Sequence, residues 1–182
     1  MRALPSSPGI SGLLALAAFL TFPALPARAL DEYQAKAIFL YKFATFVEWP
    51  EDTASDRSTP IALCVLGQSP ITAILDAAVR NKQVEGRGFQ VRQVAAAPEM
   101  HGCHMLFVSS GAVARFQQLR PDLPAKGLLV VGESDGFALD GGIINLQLHD
   151  GRLQVQINVQ AAKHARLAIN SRLLGMAELV RK

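Results

Sequence analysis

Three short runs constrain this chain more than any other feature: "IALCVLG" (61–67), "CHMLFVSS" (103–110) and "GLLVVGES" (127–134). Each is apolar at consecutive positions instead of alternating ones. A strand of that kind must be covered on both faces, as parallel strands are when they lie between two layers of helices. The intervening segments supply those helices. Ser69-Pro70 opens one that runs to about Val79, with proline suited to the first helical position. Ser110 or Gly111 opens another that runs to Leu119. Between them "GRGFQVRQV" alternates through Phe89, Val91 and Val94, the pattern of a half-exposed strand. The succession β-α-β-β-α-β with short connections argues an α/β sheet with parallel pairs.

The end of the chain changes style. "GGIINLQLHDGRLQVQIN" alternates on both sides of Asp150-Gly151, a strong signal for a two-residue antiparallel hairpin. Asn158 suits the N-cap of a final helical region carrying Ala161, Ala162, Ala165, Ile169, Leu173, Ala177 and Val180, with a break expected at Asn170-Ser171. The fold class read from the sequence is therefore α/β. It is a single compact domain with a mixed, mostly parallel sheet flanked by helices, closed by an antiparallel C-terminal hairpin and a helical tail.

Residues 1–29 read as a secretory signal. Arg2 precedes an apolar run from Ile10 to Phe22, followed by Ala27-Arg28-Ala29 as a small-residue cleavage pattern. The run is shorter than the roughly 20 apolar residues that span a bilayer. Cleavage after Ala29 leaves residues 30–182 as one exported domain, 153 of the 182 residues, with no membrane insertion of its own. Removing Arg2 and Arg28 leaves 16 Lys+Arg against 15 Asp+Glu. With that balance and no basic stripe, nucleic acid is not an expected partner.

The segment that opens the mature chain, "EYQAKAIFLYKFATFVEWP" (Glu32–Pro50), holds both Tyr residues, three Phe and the single Trp. Tyr33, Ala37, Leu40, Tyr41, Ala44 and Val47 recur at helical spacing from Asp31 to Trp49, and Pro50 ends the helix. One face is therefore core. Phe39, Phe43 and Phe46 are read as lying on the other side, as an interface to a protein partner or a homodimer seam. Trp49 fixes the helix end or anchors a partner or ligand, and Arg172 in "NSRLLGMA" is either a solvated charge or a contact to a ligand or partner.

In an oxidising compartment the two cysteines, Cys64 and Cys103, favour a disulfide. The alternatives are free thiols or a metal site, since His101 and His104 flank Cys103 in "HGCH" without the usual zinc spacing. Catalytic signatures are lacking. "EGRGFQV" has no third glycine at dinucleotide spacing and precedes a strand, no phosphate loop occurs, and Ser109-Ser110-Gly111 lacks the leading glycine of a nucleophile elbow. No enzyme activity, cofactor or resident metal is expected. "GESDGFALDGG" (132–142) reads as two turns around an inserted Phe137, with an acidic ligand loop at Asp135 and Asp140 as the rival reading.

The aromatic opening segment, "IALCVLG", "VEGRGFQV", the Cys of "GCHMLFVSS", "DGFALDGGIINL", "LQVQIN" and "AINSRLLGMA" occur in an order that resembles the YfiR family of exported bacterial proteins, from Glu32 to about Glu178. That resemblance implies a compact α/β sandwich and a periplasmic regulator that binds and represses an inner-membrane diguanylate cyclase. Cyclic di-GMP and biofilm formation would thereby be restrained. The family's cysteine pair falls on Cys64 and Cys103. This chain departs from the family pattern at Lys42, where Asn is common, at Arg166, where Gly is common, and at Asn170-Ser171, where paired Ser is usual. Only one cysteine pair exists, so a second bridge is not available. The other class of function to weigh is a periplasmic small-molecule-binding module feeding a sensor kinase or transporter. Ser109, Ser110 and the 132–142 loop would then line its pocket at the strand ends.

Overall fold

The computed structural model describes residues 27–50 and 59–181, so most of the expected leader and most of the polar stretch after Pro50 lie outside the described residues. The first element is helix α1 (Ala27–Phe46). It is followed by a two-residue strand β1 (Val47–Glu48), strand β2 (Ile61–Leu66), helix α2 (Ile71–Val79) and strand β3 (Phe89–Val94). Next come strand β4 (Met105–Val108), helix α3 (Val113–Leu119), strand β5 (Leu129–Gly132) and the hairpin strands β6 (Ile144–His149) and β7 (Arg152–Asn158). The tail holds helix α4 (Val159–His164), strand β8 (Ala168–Ile169), helix α5 (Ser171–Leu174) and strand β9 (Glu178–Val180).

Seven strands form one sheet in the order β3-β2-β4-β5-β6-β7-β9. All neighbours are parallel except β6 and β7, which pair antiparallel from Ile144↔Ile157 to His149↔Arg152. Asp150 and Gly151 join them with φ values of 48° and 76°. Two successive left-handed residues make the turn whose twist matches a hairpin, which is why Asp-Gly was legible there.

The three apolar runs are covered on both faces. Leu63, Val65, Met105, Phe107, Leu129 and Val131 pack towards Ala37, Leu40 and Phe43 of α1 and Ile71, Leu75 and Val79 of α2. Their neighbours Cys64, Leu66, Leu106, Val108 and Val130 face Phe116 and Leu119 of α3, together with Phe137. Period-two geometry sends alternate side chains to opposite faces, so a run apolar at every position supplies two cores at once.

The tail is broken at Asn170, as expected from the sequence, but it also holds two short strands where only helix was expected. α4 is capped by Asn158, whose side chain accepts from the Ala161 N–H, and ends as Arg166 turns left-handed at φ 55°. Ala168–Ile169 then pair antiparallel with Val47–Glu48. That pairing also ends α1 at Phe46, four residues before Pro50. Asn170 caps the four-residue α5, and Glu178–Val180 lie parallel beside β7 as the sheet's last strand. No described helix is long and apolar enough to cross a membrane.

Candidate functional site: a cationic apolar groove

α1 and α5 enclose a groove of about 560 Å³, lined by Phe39, Lys42, Phe43 and Phe46 from α1 and by Arg172, Leu173, Gly175 and Met176. Phe43 and Leu173 are wholly buried and form its floor, while Met176 is 62 % exposed at the lip. Phe39 and Phe46 are half-buried walls, and the Phe39 and Phe43 rings tilt against each other at 6.1 Å. Asn170 accepts a hydrogen bond from the Arg172 N–H at 2.9 Å and so sets the direction in which α5 starts. A Cβ on Gly175 would come within 3.3 Å of the Ser171 carbonyl, so glycine lets the chain pass close to the end of α5.

Two cations edge this apolar surface. Lys42 is exposed, its ammonium 5.9 Å from the centre of the Phe39 ring, and Arg172 is exposed across the groove. Among the described residues neither is in an ion pair. The arrangement suits an apolar segment that carries negative charge at its edges.

Four of the five residues singled out from the sequence, Phe39, Phe43, Phe46 and Arg172, thus meet in one place. The expectation that all three Phe stand opposite the packed face needs correcting for Phe43. At 3.6 residues per turn it lies only about 60° round the helix from Leu40, on the packed side, whereas Phe39 and Phe46 lie about 100–120° away. Trp49 is elsewhere: its indole N–H donates to the His104 carbonyl at 3.1 Å, and its ring stands edge-on to the His104 imidazole. Lys42 entered the sequence reading only as a departure from the family pattern, and Leu173, Gly175 and Met176 were not recognised as groove residues. Only the unexplained apolar Met176 beside Gly175 could have hinted at them.

Two further clusters hold the scaffold together away from the groove lining. Lys36, nearly inaccessible in the middle of α1, contacts Glu133 at 2.6 Å and Glu32 at 2.5 Å. The second oxygen of Glu133 accepts from the Ser110 N–H at 3.0 Å, so one carboxylate ties α1 to the carboxyl ends of β4 and β5. Burial alone would lower the Lys36 pKa, but hydrogen bonds to Glu133 and Glu32 outweigh it and the pKa is raised. Across the sheet, Cys64 and Cys103 form a disulfide with their Cα atoms 6.0 Å apart. Beside it, the His104 ring accepts from the Ala62 N–H and meets the Arg87 guanidinium at 2.9 Å.

That histidine carries a pH prediction. Burial first, then the positive charges of Arg87 and Arg92, push its pKa from the usual 6.5 down to about 4. Between those values the unfolded chain binds a proton that the folded protein refuses. Stability contributed by His104 is therefore present above pH 6.5 and is lost as pH falls towards 4. In urea unfolding from pH 7 to pH 4, His104→Gln is expected to show a shallower acid decline than the parent. Parallel declines would contradict this.

At the strand ends where a ligand pocket was the rival reading, Ser109 and Phe137 are turned into the core, while Ser110, Asp135 and Asp140 are exposed. Ser109 is buried and donates to the Leu66 carbonyl at 3.1 Å. Phe137 is buried against Phe116, and a Cβ on Gly132 or Gly142 would come within 2.3 Å of its ring. Those two glycines exist to admit that ring, in keeping with the turn reading of residues 132–142. Among the described residues no group of three His, Cys, Asp or Glu side chains could hold a metal ion.

Among solved structures, a conserved domain protein from Vibrio cholerae O1 biovar El Tor matches at 10 % identity with TM-score 0.51, over 82 % of this chain and 60 % of that one. The ABC domain from Streptococcus pneumonia, solved in complex with L-Trp, matches at 11 % identity with TM-score 0.45, over 66 % of this chain and 55 % of that one. This chain therefore spans little more than half of either structure, and the first likeness concerns the fold alone. Comparison with curated proteins gives no significant match. The family model described as YfiR/HmsC-like (DUF4154) matches residues 33–178. The match takes in α1 from Tyr33 onward, the seven-stranded sheet up to the first residue of β9, and both walls of the groove, and this chain belongs to the YfiR/HmsC-like family.

Proposed function

We propose that this protein is a periplasmic regulator that binds an inner-membrane diguanylate cyclase and holds it inactive, lowering cyclic di-GMP and restraining biofilm formation. The observation that carries the reading, together with family membership, is the α1–α5 groove: an apolar floor between two cations that no described acid neutralises. Its occupant on this reading is a periplasmic segment of the cyclase with an apolar anchor flanked by Asp or Glu. Such a protein needs no chemistry of its own. It must favour the inactive cyclase over the active one, and about 5 kcal/mol of differential affinity takes the population from almost all active to almost all inactive. The disulfide keeps the fold that presents the groove, which links repression to the redox state of the compartment.

Deleting the gene in the native host is expected to raise cyclic di-GMP, and the exported protein is expected to restore it. No rise on deletion would overturn the proposal. The groove volume also falls within the range of small-ligand sites, which favours a ligand-binding module as the second reading. A thermal-shift screen in which amphiphilic anions stabilise the parent but not Arg172→Glu would support that alternative.

A further inference from the structure

Arg92 occupies a position that neither the fold nor the groove explains. It lies on β3 directly opposite Cys64 in the parallel register. Its Nη2 donates towards both sulfurs of the bridge, 3.4 Å from Cys103 Sγ and 3.6 Å from Cys64 Sγ, and to the His101 carbonyl at 3.3 Å. Its Nε is buried with no partner. Among the described residues no carboxylate pairs with it, and the nearby Glu99 spends its carboxylate on the Ala95 N–H. A permanently charged guanidinium is thus held against a neutral disulfide, whose sulfurs are weak acceptors. The counter-charge it lacks is the one that reduction would create.

We infer that Arg92 is a positioning residue for thiol–disulfide exchange at Cys64–Cys103, placed to stabilise the thiolate released when the bridge opens. The inference is independent of what occupies the groove. Cys103 is the less buried residue of the pair, 7 % exposed against 1 % for Cys64, and on this inference the first attack by an incoming thiolate falls at Cys103 Sγ. The sulfur–sulfur bond breaks, its electron pair passes to Cys64 Sγ, and a mixed disulfide forms on Cys103. When the reductant is a dithiol, its second thiolate attacks its own bound sulfur and releases the Cys103 thiolate. The protein gains two electrons and the dithiol becomes a cyclic disulfide. The Cys64 thiolate that leaves in the first step lies within reach of Arg92. A cation there speeds the departure and favours the reduced state, because a thiol with lowered pKa is the better leaving group.

The test uses the purified, folded, oxidised protein with dithiothreitol as the probe. Arg92→Gln is expected to slow reduction about tenfold at pH 7 and low salt. It should also shift the equilibrium with dithiothreitol about tenfold towards the oxidised protein, which for two electrons is about 30 mV. Arg92→Lys should retain most of the parent's rate, and added salt should narrow the difference between parent and Arg92→Gln. In denaturing urea the three proteins should react alike. If Arg92→Gln unfolds, the Cys103→Ser variant with and without Arg92→Lys gives a second reading, the pH dependence of alkylation at Cys64. The lysine variant should keep the Cys64 thiol acidic. Equal native reduction rates for parent and Arg92→Gln would overturn the inference, as would a slow phase that Arg92→Lys fails to rescue.

Discussion

Lys36→Met is expected to lower the stability of the domain by about 3–5 kcal/mol, the usual cost of removing one partner from a buried ion pair. The loss comes less from the missing attraction than from the charge left behind. Glu133, with 3 % of its side chain exposed, would keep only the Ser110 N–H as a partner. Small domains have about 5–15 kcal/mol in total, so this one change could consume much of the margin. Glu133→Gln alone leaves Lys36 its second carboxylate on Glu32, at 25 % exposure, and should cost less. The double variant Lys36→Met/Glu133→Gln should recover part of the single-variant loss, because no buried charge is then orphaned. Urea unfolding of the four proteins gives the coupling directly, and strictly additive losses would contradict the account. Alkaline pH offers a second check. A raised Lys36 pKa means that its contribution is fully present below about 10.5, its usual value, and fades as pH climbs through the raised one.

Opening the disulfide has an effect of similar size by a different route. Cys64 and Cys103 are 39 residues apart, and closing a loop of that length removes about 4 kcal/mol worth of freedom from the unfolded chain. Cys64→Ala/Cys103→Ala is expected to lower the melting temperature by about 10 °C, since 1 kcal/mol shifts a domain of this size by about 2–4 °C. Parent protein melted with dithiothreitol should behave like the double variant. A difference of only a degree or two would mean that the unfolded state is already restricted or that the bridge is strained.

The parts of the fold that could be read from the sequence were those in which local pattern and tertiary role agree. "IALCVL" and "CHMLFV" are apolar at nearly every position because both faces of β2 and β4 are covered, so a strand was the economical reading. Asp150-Gly151 was legible because only a few residue pairs accept two left-handed positions in succession. The tail misled because Ile169, Leu173, Ala177 and Val180 keep a helix-like spacing. What settles their conformation is distant: β8 needs Val47–Glu48, and β9 needs the edge of β7. Strands of two or three residues carry almost no local signal, and Arg166, which ends α4 in a left-handed conformation, is an ordinary polar residue in the sequence, whereas the break at Asn170 was legible.

The groove was half legible for the same reason. Its α1 wall announced itself as an excess of aromatic residues, whereas its α5 wall is a single capped turn. Phe43 was placed on the wrong side because three aromatic residues at positions 39, 43 and 46 look like one stripe. They straddle the boundary between the packed face and the flank. The Lys36–Glu133 contact joins residues 97 positions apart and has no sequence signature at all.

The most direct measurement of the central claim is cellular cyclic di-GMP in a deletion strain that exports the parent protein or Lys42→Glu/Arg172→Glu at matched periplasmic level. Lys163→Glu, an exposed change on α4, serves as the control. If the groove is where the cyclase is held, the parent and Lys163→Glu restore the low level, while the groove variant leaves cyclic di-GMP as high as in the deletion strain. Full restoration by the folded groove variant would contradict the account and move the regulatory surface elsewhere on the molecule.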